Sequence, residues 1–392
     1  MIFPRRFSVR SINVGLLGLG TVGQALAQLI VESEPKIRVV KALVRHRDRA
    51  RKVEVRVTTD PDEIVRDPEI DVVVDVMGGQ HPAMEVLSAA LQQGKDVVTA
   101  NKEVMAYHGP TLLALARQHN RLLLYEASVA GGIPIIDAIT HHLSVVPIDR
   151  IEGVLNGTCN FILSHMEEGH DYLEALHEAQ RLGYAEQNPE ADVEGYDTAR
   201  KLVLLARLGF HAIIPADFSA VTGITGVTGH DVARIASFGC GVRLVGRALC
   251  QNQCIRLSVA PTVYYQGHPF LRLQGPQNAI QVTSAVGQFI FQGPGAGGMA
   301  TATSVLSDIL RIQQLLPDRE SSPTIPLAFS DPESPVICFP LDPEVSLPQV
   351  LPGELRRTAS YAILSRQLPK GFDTLWGLRQ YAWGEEEGPT LR

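Results

Sequence analysis

INVGLLGLGTVGQALAQLIVES, residues 12–33, decides the fold. A short apolar run meets a glycine-rich turn, and the turn opens a segment whose apolar residues recur at helical spacing. Gly18, Leu19, Gly20, Thr21, Val22 and Gly23 form a G-x-G-x-x-G pattern at that strand–helix junction. The first two glycines allow a tight turn and a close approach to a pyrophosphate, and the third allows helix and strand to pack closely. Amides at the helix N-terminus then face the negative charge. Alone the glycine spacing is weak, because glycine-rich turns are common. The strand–turn–helix setting makes it a dinucleotide-binding signal.

Outward from this unit, short apolar runs alternate with amphipathic segments to about residue 142. Strands are predicted at 12–18, 37–44, 70–77, 96–100 and 121–127, with helices such as VGQALAQLIVES and PAMEVLSAALQQG between them. IDVVVDVM (70–77) is almost continuously apolar, as a parallel strand covered on both faces requires. Such alternation implies an α/β fold with a Rossmann-like, doubly wound parallel sheet. From about Ile151 the rhythm changes. RIEGVLNG reads as a strand, followed by helices near 158–168, 171–182 and 196–209, the second with a capping-box start at Asp171 and Glu174. HDVARIASFG is a further helix, and VRLVGRALC, CIRLSVAPTV, NAIQVTS and GQFIFQG read as mainly antiparallel strands. This second domain is α+β. Another helix is predicted from about 301, and residues 317–392, with eleven of the 25 prolines, read as loop-rich.

Composition narrows the partners. The chain has 392 residues, a net charge of −7 and no long basic run, which excludes nucleic acid as the expected partner. No apolar run reaches the ~18 residues that span a membrane. The opening MIFPRRFSVR lacks an apolar region behind its arginines, so no secretory signal is expected. Cysteines 159, 240, 250, 254 and 338 are odd in number and lack C-x-x-C spacing. They read as reduced thiols of a cytoplasmic protein.

Several polar groups stand where ligands bind open α/β sheets. LVRHRDRAR (43–51) follows the second strand and offers Arg45 where an NAD site usually has an acid. A guanidinium suits the 2′-phosphate of NADP, with a basic exposed loop as the alternative. Thr99, Asn101 and Lys102 follow the strand DVVTA, and Glu126 ends the next one beside the pair Gly131–Gly132. Asn156, Thr158 and Asn160 of LNGTCNF either cap a helix or line a cleft. Glu186 and Asp192 lie in the loop after Gly183, which reads as the end cap of the preceding helix. Asp197 and Lys201, four apart, share one face of a helix that continues as the apolar KLVLLARLG. A partly desolvated lysine beside carboxylates can lose and regain a proton, as alcohol–carbonyl redox chemistry requires. Cys159 reads as packing, so chemistry through a thioester is not expected.

These residues carry a specific resemblance. AQRLGYAEQNPEADVEGYDTARK (179–201) resembles the signature of homoserine dehydrogenases at every defined position. GLGTVG, GKDVVTANK, EASVAGGIP, LNGTCNFIL and GPGAGG…TATSVLSD look like the same family's other blocks, in its order, over about residues 10–315. The resemblance implies interconversion of L-homoserine and L-aspartate 4-semialdehyde with NAD(P)(H), a step toward threonine and methionine. It implies Lys201 as proton donor and acceptor at the substrate oxygen, and Glu186, Asp197, Asp192 and Lys102 as substrate contacts. Gly183, Gly295 and Gly297, with Thr99 and Lys102, resemble nicotinamide-side contacts. Glu126 with the backbone of Val129, Gly131 and Ile133 resembles a monovalent-cation site, whose hard oxygen ligands suit Na⁺ or K⁺ and not zinc.

On this reading residues 11–145 bind the nucleotide and 146–300 form a catalytic and dimerisation domain. Residues 301–316 return to the nucleotide domain, and 317–392 form a proline-rich tail or a divergent regulatory region. A homodimer through the second domain's strands is implied. Many family members end in a βαββαβ regulatory module, but PLAFSDPESPVICFPLDPEVSLPQ does not show that pattern, and threonine feedback is not expected. A monofunctional enzyme is expected from the length. The alternatives are another NADP-linked amino-acid or sugar dehydrogenase, and a non-catalytic NADP-binding sensor, against which intact Lys201, Asp197 and Glu186 count.

Overall fold

The computed structural model describes residues 11–34, 36–251 and 254–321, with four two-residue strands beyond them. They group into two compact units, one within Met1–His142 and Pro294–Glu333, the other within Leu143–Gly293 and Ser334–Arg392.

The first unit begins β1 (Ile12–Leu17), α1 (Thr21–Ser33), β2 (Ile37–Leu43), β3 (Val57–Thr58) and α2 (Asp62–Val65). It continues β4 (Val72–Asp75), α3 (Ala83–Gln92), β5 (Asp96–Thr99), α4 (Lys102–Gln118), β6 (Leu123–Leu124) and the single turn α5 (Ile135–Asp137). The six strands pair in parallel in the order β3-β2-β1-β4-β5-β6. This is the doubly wound order. Its direction reverses between β1 and β4, which puts the ligand crevice at the end of β1, where the glycine turn lies. Val72, Val73 and Val74 of β4 have no exposed surface, which explains their unbroken apolar run.

The second unit runs β7 (Ile148–Val154), α6 (Gly157–Glu167), α7 (Tyr172–Arg181), α8 (Glu190–Val193), α9 (Tyr196–Gly209) and α10 (Gly229–Ser237). Strands β8 (Cys240–Gln251), β9 (Cys254–Tyr265), β10 (Gln277–Ser284) and β11 (Gly287–Pro294) complete it in the order β11-β10-β7-β8-β9. β10–β7, β7–β8 and β8–β9 are antiparallel. The capping box of α7 is formed, Glu174 N donating to Asp171 Oδ1 at 2.8 Å and Asp171 N to Glu174 Oε2 at 3.2 Å. The chain then enters α11 (Gly298–Ser321), which packs back into the first unit. Ala302, Val305, Leu306, Ile309 and Ile312 of α11 share one core with Ile12, Val14 and Leu16 of β1 and Leu26 and Ile30 of α1. Each such aliphatic side chain contributes about 1.5–3 kcal/mol by leaving water.

Two elements differ from the sequence reading. The strand expected at 121–127 shrinks to Leu123–Leu124, and Glu126–Ser128 form a 3₁₀ turn. Glu126 N donates to Asp308 Oδ2 of α11 at 2.9 Å and Ser128 Oγ to the Thr99 carbonyl at 2.9 Å, so a helix carboxylate and a side-chain hydrogen bond replace ladder pairing in this segment. Helix α4, for which the sequence analysis set no bounds, is started by Asn101, whose Oδ1 accepts from Val104 N. α11 starts at Gly298 and not at 301; the glycines before it obscure its start in the sequence. The proline-rich tail and the missing regulatory module concern residues that lie, apart from the end of α11 and the four short strands, outside the described ones.

The glycine turn separates its three functions in space. Gly18 has φ +101°, a left-handed value that disfavours side chains. A Cβ on Gly23 would lie 2.2 Å from the Gly18 carbonyl oxygen, so α1 sits against the turn only because that residue is glycine. At Gly20 nothing lies within 4 Å of the same position, leaving the backbone open to a ligand. Gly23→Ala should therefore destabilise the fold by about 1–3 kcal/mol, as overpacking does. Gly20→Ala should leave thermal unfolding unchanged. Melting of the two variants checks both, and equal losses would contradict this division of roles.

Candidate active site

Helix α9 explains the charged cluster of the second unit. Leu202, Val203, Leu204 and Leu205 are buried, and the same helix brings in Asp197 (3% exposed) and Lys201 (9%). Charges so placed must be paired. Lys201 Nζ donates to Asp197 Oδ2 at 2.7 Å and to the Leu155 carbonyl at 2.8 Å. The i,i+4 spacing places the two on one face, and the end of β7 supplies the carbonyl. Asn278 Nδ2 of β10 donates to that same carbonyl at 2.9 Å.

Asn156 binds the cluster together. Its Nδ2 donates to Asp192 Oδ1 at 2.6 Å and to Asp197 Oδ2 at 2.9 Å, while its Oδ1 accepts from Cys159 N at 2.8 Å and caps α6. Capping and site-lining, set as alternatives by the sequence, are both performed by this one amide. Thr158 Oγ1 bonds the Tyr184 carbonyl at 2.6 Å, with Asp192 Oδ2 at 3.3 Å. Asn160 Nδ2 instead donates to the Gly275 carbonyl. Cys159 is buried with its thiol on the Asp192 carbonyl; burial, with Asp192 and Asp197 beside it, raises its pKa well above the usual range. It packs, as read.

Glu186 stands apart. It is exposed, its carbonyl accepts from Gln180 Nε2, and among the described residues no hydrogen bond joins it to Asp197 or Lys201. Gly183 is exposed with φ +77° directly after the end of α7, so it caps that helix as expected.

In the first unit the separated glycine blocks meet. A Cβ on Gly298 would lie 2.9 Å from Thr21 Cγ2, placing the start of α11 beside that of α1. Gly131 (φ +52°) packs so closely on Gly295 that a Cβ would lie 2.8 Å from its carbonyl. Gly297 has φ +115° and turns the chain into α11. Leu19 is buried, Val22 half-buried, and Arg45 exposed just past β2.

Thr99 is fully buried and differs from a ligand-facing side chain. Its hydroxyl donates to Asp75 Oδ2 and accepts from Asn101 N, each at 3.0 Å, while Asn101 Nδ2 donates to the Gly79 carbonyl at 2.7 Å. The loops after β4 and β5 are thereby tied together, and Lys102, half-buried, opens α4 beside them. Burial pushes the Asp75 carboxyl up to about 6. Sequence reading passed over Asp75, because one acid at a strand end has no local signature.

Glu126 and Asp308 form a second buried acidic site. Glu126 Oε1 accepts from Ile136 N at 2.8 Å and Oε2 from Asp137 N at 2.7 Å. Burial pushes Glu126 up to about 7 and Asp308 to about 8. Of the expected cation-facing carbonyls, Gly131 accepts from Ser304 Oγ at 2.7 Å and Ile133 from Ile135 N at 2.8 Å. Val129, like Ile133, is buried in the same turn.

Comparison with known proteins agrees with both halves. The homoserine dehydrogenase profile matches residues 134–310, and the profile described as homoserine dehydrogenase, NAD binding domain, matches 18–126. The chain belongs to the homoserine dehydrogenase family. Homoserine dehydrogenase of Bacillus subtilis is 40% identical over 78% of this chain and 74% of its own, and that of Synechocystis is 38% identical over 80% and 76%. The crystal structure of a homoserine dehydrogenase from Thiobacillus denitrificans superposes with a TM-score of 0.80 at 37% identity, covering 84% of this chain and 80% of that one. A hyperthermophilic archaeal homoserine dehydrogenase in complex with NADPH gives a TM-score of 0.66 at 29% identity, over 77% and 97%. The Rossmann-like sheet and the α+β unit are thus those of an oxidoreductase family with a nicotinamide-nucleotide domain. Among the described residues no helix is long and apolar enough to cross a membrane.

Asn156 is the part of this site that a substitution can isolate. Asp caps helices as well as Asn does, so Asn156→Asp should keep α6 intact. It replaces two donated hydrogen bonds by carboxylate repulsion inside a buried cluster. Melting near pH 7.5 should fall by the equivalent of about 1–3 kcal/mol, with partial recovery as the pH is lowered toward the carboxylate range. A melting temperature unchanged at pH 7.5 would refute the clamp.

Proposed function

We propose that this chain interconverts L-homoserine and L-aspartate 4-semialdehyde, using NADP(H) with NAD(H) as the alternative, on the route to threonine and methionine. The observation that carries the reading is the buried Asp197–Lys201 pair held by Asn156 and the Leu155 carbonyl, in a chain of this family. A bound nicotinamide would accept or supply the hydride. The chain's own residues supply orientation and a proton. Lys201 takes the hydroxyl proton of homoserine in oxidation and returns one to the substrate oxygen in reduction; its two hydrogen bonds fix where Nζ stands. Asp197 and Glu186 are assigned to the substrate ammonium, Lys102 to its carboxylate and Asp192 to the pocket wall. Glu186 is exposed on its loop.

For the cofactor, the open backbone at Gly20 and the paired starts of α1 and α11 fit a pyrophosphate. Gly18 to Gly23, Gly183, Gly295 and Gly297 carry over as its contacts, Thr99 through its backbone only, since its hydroxyl is occupied. Arg45 is assigned to the 2′-phosphate, an assignment supported by its exposure at the end of β2. A monovalent cation at Glu126 would offset carboxylate charge that burial disfavours at Glu126 and Asp308. We assign the protein to the cytoplasm, and its assembly as a homodimer through the second unit's strands is supported by β11, an edge strand with Phe289 and Ile290 exposed.

Lys201→Ala should lower kcat by ~10²–10⁴ in both directions, the usual loss for a proton-transfer group, with NADP⁺ affinity within a few-fold. Lys201→Arg should be nearly as inactive, because a guanidinium does not release its proton. Steady-state kinetics with homoserine and with the semialdehyde check this, and an active arginine variant would reassign the lysine as an electrostatic anchor. Arg45→Asp should raise KM for NADP⁺ far more than for NAD⁺; equal changes would remove Arg45 from cofactor selection. Replacing Na⁺ and K⁺ by tetramethylammonium should lower the melting temperature, and sedimentation in either salt should give twice the chain mass. A monomer, or melting indifferent to the cation, would remove the corresponding assignment.

A further inference from the structure

We propose that His165, Glu168 and His170 form a binding site for a divalent transition-metal ion of the Zn²⁺ class. They lie where α6 ends and turns toward α7, and none of the three belongs to the hydrogen-bonded Asp197–Lys201 cluster. The sequence HMEEGH does not advertise the arrangement, because it crosses a helix end and has no helical period. Gly169, at φ +103°, reverses the chain, and His170 N returns to the His165 carbonyl at 3.3 Å. One nitrogen from each imidazole and one carboxylate oxygen then lie within 4.8 Å of one another.

The donors suit the ion. Two imidazoles and a carboxylate are a recurrent ligand set for Zn²⁺, and borderline nitrogen donors select transition metals over Na⁺, K⁺, Mg²⁺ or Ca²⁺. His165 Nδ1 and Glu168 Oε2 are already 2.8 Å apart, a contact in which an ion can replace the shared proton. Metal–ligand bonds of about 2.0–2.2 Å in a tetrahedron set donors about 3.4 Å apart. The remaining closure is made by Glu168 and His170, whose side chains are 65% and 52% exposed and so can rotate.

Two features prepare the site. The His165 ring packs edge-on against Phe161 at 4.5 Å and against His170 at 5.1 Å, which restricts its orientation before any ion arrives. The local potential is negative: the carbonyl end of α6 carries partial negative charge, and Glu174 Oε2 stands 3.7 Å from His170 Nδ1. Glu174 can thus orient His170 as an outer partner.

Calorimetric titration of the full-length, chelator-treated and reduced protein with ZnCl₂ tests the site. Cys250 and Cys254, close together on the β8–β9 hairpin, are the rival ligands. The Co²⁺-loaded protein discriminates between them, because thiolate ligation adds a charge-transfer band. The wild type should bind one Zn²⁺ that His170→Ala and Glu168→Gln each weaken by at least ~10-fold, the lower bound for loss even of an outer-shell partner. Both variants should melt like the wild type without metal, and the Co²⁺ spectrum should lack a thiolate band. Absence of Zn²⁺ binding, equal binding by the variants, or a thiolate band would each overturn the proposal.

Discussion

The second unit depends on a buried positive charge that must be satisfied. Lys201 lies on the largely buried helix α9, where its Nζ is held by Asp197 and the Leu155 carbonyl; a buried charged group without such partners is costly. Removing one partner of such a pair typically costs ~3–5 kcal/mol, because the other charge is left alone. The arrangement therefore constrains much around it. β7 must end where the next carbonyl, that of Leu155, reaches Nζ, α6 must start at a residue able to donate to two acids, and α9 must enter the core with both charges on one face. Stability and chemistry make the same demand on this cluster.

The first unit solves a different problem, bringing bare backbone to a ligand without leaving a gap. Gly23 lets α1 touch the turn, Gly20 leaves its surface open, and Gly298 brings a second helix start beside the first. Two distant parts of the chain thus present amides from one region. α11 anchors the arrangement by its apolar face in the core and by Asp308 on the Glu126 amide. Buried acids recur here: Asp75, Glu126 and Asp308 all rise well above the usual carboxylate range because burial disfavours their charge. Asp75 joins the loops after β4 and β5 through Thr99, while Glu126 and Asp308 join α11 to the turn after β6.

The features legible in the sequence were those with a local physical cause. The glycine turn is readable because its three demands fall within six residues. α9 was read with its observed bounds, 196–209, because charged start and apolar continuation sit on one period. The α7 capping box and the Asp197–Lys201 pair are likewise relations between residues three or four apart. What the sequence left open has contacts that no period encodes. Asn156 reaches Asp192 and Asp197 over 36 and 41 residues, and Asp308 reaches Glu126 over 182.

That distinction accounts for each departure. RLLLYEA has strand character, but α11 captures the Glu126 amide and ends the strand at Leu124. Thr99 ends a parallel strand, where ligands bind, yet Asp75 on the neighbouring strand takes its hydroxyl. Glu186 belongs to the signature, but the loop holding it leaves it exposed. By itself the sequence determined the fold class, the family and the residue types able to do the chemistry, because these follow from patterning and short spacings. The tertiary structure alone decided which carboxylates share a donor, which are driven toward protonation and which histidines meet across a turn. Those depend on burial and on contacts between segments far apart in the chain.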